Sequence, residues 1–146
     1  MSKLTEYSSK ASFMNVSLEI DGKPYSFNLD IQLKIEEEKM VTHLKEQPRS
    51  YAFLCMLRNK VKIEIKKKAK DLERKRAARY NQLAETMEKV TDINNKLKSN
   101  RLFKEMQDVI DDLDEIKSVL DIAVDSFNQR KDILQTLSAN LRKENN

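Results

Sequence analysis

Residues 102–141 read LFKEMQDVIDDLDEIKSVLDIAVDSFNQRKDILQTLSANL. Leu102, Val109, Ile116, Ala123, Arg130 and Leu137 recur every seven residues, and Met106, Leu113, Leu120, Phe127, Leu134 and Leu141 fill the second seam position. Six consecutive heptads of this kind predict a coiled-coil or bundle helix over 100–142, with Met106, Val109, Leu113, Ile116, Leu120, Phe127, Leu134 and Leu137 as oligomerisation residues. Phe103, Ile110 and Val124 widen the apolar stripe, so the helix is expected to meet more than one partner. Arg130 on the seam costs stability and is expected to fix register or oligomer state.

Working toward the N-terminus, Thr91–Asn100 is rich in asparagine and serine, residues that cap a new helix, and is read as a joint. Ahead of it, Pro48 sits well as the first residue of a helix running to about residue 92. Its apolar positions include Tyr51, Leu54, Leu57, Val61, Ile65, Leu72, Leu83 and Met87. Between Val61 and Val90 they fit an eleven-residue period better than a heptad. Gln47-Pro48 is read as breaking a short helix near Lys34–Leu44.

Residues 13–31 change period. Met14, Val16, Leu18 and Ile20 alternate with mostly polar neighbours, and the alternation resumes at Tyr25, Phe27, Leu29 and Ile31 after Asp21-Gly22. Period two on both sides of an Asp-Gly turn predicts a β-hairpin. A lone hairpin is marginal, so it must pack on something or pair with a neighbouring chain. Residues 1–12 are polar and expected to be flexible. The expected division is thus 1–12, a hairpin with a short helix over 13–47, and a helical hairpin over 48–146. The fold class is mainly α: long helices forming a coiled-coil or helical-bundle oligomer, with a short N-terminal β-hairpin.

Composition narrows the chemistry. The 146 residues include one glycine, one cysteine and one histidine among 28 basic and 24 acidic residues. Gly22 alone cannot build a glycine-rich phosphate loop. Cys55 and His43, expected in the core and at the surface respectively, fall short of four zinc ligands. No catalytic constellation, cofactor or metal site is read from the sequence. No apolar run approaches a membrane span and the start lacks a secretory apolar segment, so a cytoplasmic protein without a membrane partner is expected.

The charges are sorted along the chain. Lys60–Arg79 holds ten basic and three acidic residues, whereas Glu105–Asp125 holds eight acidic residues and Lys117. Within the basic stretch, Lys66, Lys70 and Arg74 follow one line, Lys68, Lys75 and Arg79 lie near another, and Lys67 and Arg76 add to the charge. Such a surface attracts phosphates by displacing counterions, and Tyr80 closing the run is placed to stack a base. The alternative is a solvated face paired with the acidic helix folded alongside. A turn near residue 95 would set Arg79 beside Asp111 and Lys68 beside Ile122. Only Glu105 and Asp112 of the acids flank the seam, so a free cationic strip is expected to remain. Asp111-Asp112-Leu113-Asp114-Glu115 lacks the glycine turn of a calcium loop and reads as a solvated or protein-docking face.

The order of parts is similar to a known family. A lead-in ending near Pro48 precedes Tyr51-Ala52-Phe53-Leu54, then Lys75-Arg76-Ala77-Ala78-Arg79-Tyr80, then a last helix through Phe127-Asn128-Gln129-Arg130-Lys131-Asp132-Ile133-Leu134-Gln135-Thr136-Leu137. Over about residues 30–142 this resembles the UvsY-type phage recombination mediators, helical ring-forming proteins that bind single-stranded DNA. The resemblance implies no enzymatic activity. It implies loading of a recombinase onto strands covered by single-strand binding protein, in the host bacterial cytoplasm. It also implies DNA contacts at Lys75, Arg76, Arg79 and Tyr80, supported by Lys66, Lys67, Lys68, Lys70 and Arg74. Tyr80 is followed by Asn81-Gln82, where the family pattern tends to a second aromatic and glycine. The expected partners are single-stranded DNA, further copies of the chain, a recombinase and a single-strand binding protein. The competing reading is a structural or chaperone-like coiled-coil assembly protein without nucleic-acid binding. Binding to a membrane surface through the basic helix is weaker, because its apolar face lacks Trp and is needed for packing.

Overall fold

The computed structural model describes residues 15–145. Strands β1 (Asn15–Ile20) and β2 (Lys23–Asn28) lead into a one-turn helix α1 (Leu29–Leu33) and a 3₁₀ turn at Glu37–Lys39. Two long helices follow, α2 (Met40–Ala84) and α4 (Arg101–Glu144), joined through the short α3 (Val90–Lys98). The protein is mainly α with an N-terminal hairpin, as the periodicities predict. The expected flexible segment 1–12, and Met14 of the alternation, lie outside the described residues.

Asp21 and Gly22 both take positive φ, 52° and 75°, the two-residue turn that matches strand twist. Ile20 pairs with Lys23 across the turn and Glu19 with Pro24. Pro24 therefore falls at a non-hydrogen-bonded pair, where its missing N–H faces away from the ladder. Val16, Leu18, Ile20 and Phe27 turn one face inward. That face packs on Leu54, Leu57 and Val61 of α2 and on Ile116, Leu120 and Phe127 of α4. Phe53 completes the contact, its ring 6.2 Å from Tyr25 and 6.4 Å edge-on to Phe27. The hairpin's partner is its own chain.

Three boundaries differ from expectation. The alternation stops at Phe27: Asn28 Oδ1 accepts from the Ile31 N–H and caps α1, so Leu29 is buried but Ile31 is 72 % exposed. No helix spans Lys34–Leu44; α2 starts at Met40 and runs through Pro48 to Ala84. The break is overridden by packing at the preceding residue. Gln47 is buried, donating from Nε2 to the Phe127 carbonyl and accepting from Arg130. The joint also holds a helix, α3, anchored by buried Ile93, and α4 begins at Asn100, whose Oδ1 accepts from the Phe103 N–H.

Arg130, only 5 % exposed, explains how the hairpin end is held. Its Nε donates to the Leu33 carbonyl at 3.1 Å, Nη2 to the Lys34 carbonyl at 3.3 Å and Nη1 to Gln47 Oε1. Nη2 also lies 3.1 Å from His43 Nδ1, while His43 Nε2 accepts from the Glu36 N–H. Burial pulls the guanidinium's pKa down and Glu46 opposes this. Arg130 thus fastens α4 to the segment entering α2 within one chain, where the seam position suggested a role in register or oligomer state. His43 is half-buried in this network rather than at the surface, and Cys55 is half-buried against the main core.

Two expected outcomes follow from this packing. Arg130→Met keeps the stem's bulk but strands Gln47 and two carbonyls; urea unfolding should show a loss of about 3 kcal/mol. Pro48→Ala restores a helical donor to the Leu44 carbonyl; the urea midpoint should rise, by up to about 3 kcal/mol in stability.

Candidate nucleic-acid interface

The long helices are antiparallel. Gln47 meets Phe127, Arg58 Nη1 lies 3.6 Å from Asp121 Oδ1, and Leu72 clusters with Phe103 and Ile110. The expected register, with Arg79 by Asp111 and Lys68 by Ile122, is corrected: Lys68 and Lys75 border Leu102, Met106 and Val109. Ending α2 at Ala84 moves the reversal of direction toward the N-terminus, and Lys62 and Lys66 come to line a groove with Asp114 and Lys117 of α4.

The hairpin covers only the half of the helical pair near Leu57 and Leu120. Beyond it, α2 and α4 continue as a two-helix stalk with a small core of Leu72, Phe103 and Ile110, against which Ile65, Leu97 and Met106 pack. The basic residues ride on this stalk. With buried Val61, Leu72 and Leu83 marking the inner line of α2, helical geometry sets Lys66, Lys67, Lys70 and Arg74 on the opposite, outer face. All four are exposed, and among the described residues none of them enters an ion pair.

The other candidates are placed differently. Half-buried Lys68 and exposed Lys75 flank the inner line and pair with their own helix, Lys68 with Glu64 at 3.5 Å and Lys75 with Asp71 at 3.3 Å. Arg76 lies across that line, beside Gln107 and Ile110. Arg79 donates to Gln82 Oε1 at 3.1 Å, and Tyr80 is half-buried. The nine residues therefore form one outer face and two flanks rather than one patch. Sequence reasoning omitted Lys62, which is exposed, precedes Lys66 by four residues and lines a groove between the helices with Lys66, Asp114 and Lys117. The i, i+4 spacing would have identified it.

Among the described residues no ion pair joins the acidic helix to this face, though Asp114 lines the groove at its edge. Among the described residues the ion pair joining the long helices is Arg58–Asp121, while Lys117–Asp121 and Arg101–Glu105 stay within α4. No group of three or more His, Cys, Asp or Glu among them is placed to hold a metal ion.

The expected oligomerisation residues are largely covered inside the chain. Ile116, Leu120, Phe127 and Leu134 are buried, and Met106, Leu113 and Leu137 are half-buried; Val109 is exposed. A heptad stripe reports that a face is covered, not which chain covers it, and here α2 and the hairpin cover most of it. No family model, curated protein or solved structure matches the chain. Among the described residues no helix is long and apolar enough to cross a membrane.

Proposed function

We propose that the protein binds single-stranded DNA through the outer face of α2 and acts, as an oligomer, as a recombination mediator that helps load a recombinase. The observation that carries the binding is the exposed i, i+4 line Lys62, Lys66, Lys70 and Arg74, free of ion pairs among the described residues, with Lys67 beside it. Each phosphate contact releases condensed counterions, so the line favours a polyanion in proportion to the contacts made. One such line on one chain binds weakly at physiological salt, and repeating it through assembly raises the effective concentration along a strand. The mediator role and the recombinase and single-strand-binding-protein partners are supported by the resemblance of residues 30–142 to UvsY-type proteins.

The face also narrows which residues matter. Lys66, Lys67, Lys70 and Arg74 are the primary contacts, and Arg76 and Arg79 extend the surface along its flanks. Lys68 and Lys75 belong to the groove between the helices. A structural or chaperone-like assembly role is the second reading, favoured by the apolar residues left exposed on α4.

Fluorescence anisotropy with labelled oligothymidine tests the proposal. Binding at micromolar or tighter apparent affinity is expected at about 50 mM salt, weakening steeply as salt rises. Lys66→Ala/Lys70→Ala/Arg74→Ala should reduce the log–log salt slope by about 2, at about 0.7 for each phosphate no longer neutralised. Absence of binding by a folded wild-type chain at low salt overturns the binding proposal and leaves the assembly reading.

A further inference from the structure

Among the described residues between Lys60 and Arg79, Ile63 is the one large apolar side chain left exposed, at 45 %. Helical spacing puts it on the outer face of α2, one turn before Lys66 and Lys67 and two turns before Lys70. A lone exposed isoleucine is ordinary on a protein surface. This one also borders the groove between the long helices, together with Lys62 and Lys66 of α2 and Asp114 and Lys117 of α4. The outer cationic line and the groove therefore meet at an apolar side chain.

Lys117 gives the groove its charge. Glu105–Asp125 holds eight acids and this single base, and the base stands in the groove with Lys62 and Lys66. Three ammonium groups against the one carboxylate of Asp114 leave a surplus of two positive charges. Among the described residues neither Lys62, Lys66 nor Asp114 enters an ion pair. Lys117 Nζ lies 3.5 Å from Asp121 Oδ2, but Asp121 also has Arg58 3.6 Å from its other oxygen. Asp121 thus keeps a partner when Lys117 turns to an anion, and a partly exposed pair of this kind is weakly held.

We infer that a single DNA strand on the outer face of α2 also enters this groove, with a phosphate among Lys62, Lys66 and Lys117 and a base against Ile63. Helix α4 then supplies a second bank to the DNA site. Ile63 separates a strand with unpaired bases from other polyanions: a duplex keeps its bases stacked inside, and an acidic peptide has carboxylates without a flat ring to lay on it. Asp114 repels the phosphate and holds the affinity down. The inference rests on the DNA-binding part of the proposed function and not on assembly or recombinase loading.

Fluorescence of the full chain supplies the test. The chain has no tryptophan, so Ile63→Trp introduces one fluorophore at an exposed position. Oligothymidine should quench its emission over the same concentrations that raise the anisotropy, while Val109→Trp, exposed on α4 in a different groove, stays unchanged. Duplex DNA and polyglutamate should leave the emission of the Ile63→Trp chain unaltered. In the otherwise wild-type chain, Lys117→Ala should lower the log–log salt slope by about 0.7. Lys104→Ala, the same charge change at an exposed site outside the groove, should not. Asp114→Asn should tighten oligothymidine binding by about threefold at low salt, and the exposed control Asp108→Asn should not. Strand binding without quenching of the Ile63→Trp chain, equal quenching by polyglutamate, or a Lys117→Ala slope equal to that of Lys104→Ala would each overturn the inference and leave binding on the outer face standing. A folded wild type that binds no oligothymidine overturns both.

Discussion

Covering α4 from two directions organises this molecule. Leu120 and Phe127 are fully buried because α2 presents Leu54, Leu57 and Val61 from one side while Val16, Leu18 and Ile20 close in from another. Burying side chains of this size contributes about 1.5–3 kcal/mol each. Neither layer would hold alone, since a two-stranded hairpin is marginal in water and a helix pair with one covered stripe leaves apolar residues wet. Once the three layers meet, the antiparallel register is fixed at Gln47 with Phe127 and Arg58 with Asp121. Everything beyond the reach of the hairpin becomes a two-helix stalk.

Arg130 serves that core through hydrogen bonds rather than an ion pair. A buried cation without a carboxylate is costly unless its donors are occupied. Here Nε, Nη1 and Nη2 meet the Leu33 carbonyl, Gln47 Oε1 and the Lys34 carbonyl, and the guanidinium lies over the Phe127 ring at 5.8 Å. Arginine's rigid fork reaches these acceptors at once, which lysine's single ammonium does not. The same network holds Gln47 in place. That is why α2 continues through Pro48 although the missing N–H leaves the helix one hydrogen bond short.

Locally encoded features were legible in the sequence. Asp21-Gly22 adopts its positive φ values within two residues, and Asn100 caps α4 through a bond to a residue three positions on. The eleven-residue spacing also carries through, in the buried line Val61, Leu72, Leu83. What sequence left open is set by distant contacts. The heptads of α4 predict a covered face, but α2 and the hairpin cover it where a neighbouring chain was expected. The inner line shifts from Leu102 and Val109 to Phe103 and Ile110 because α2 approaches the stalk from one side only. Similarly, Pro48 signals a helix start from its ring geometry alone; the contact that carries α2 through it comes from Arg130, more than eighty residues away. For the candidate interface, the basic residue types and their line were legible, and their division between outer face and groove waited on the register.

That division has a mechanical consequence for the stalk. Its core is Leu72, Phe103 and Ile110 with Ile65, Leu97 and Met106 packed against them, smaller than the core beneath the hairpin. Crowding α2 with Lys62, Lys66, Lys67, Lys70 and Arg74 adds self-repulsion, and among the described residues none of these five is ion-paired to an acid of α4, although Asp114 lines a groove with Lys62 and Lys66. A polyanion bound on the outer face, as proposed, would relieve that repulsion by neutralising charge.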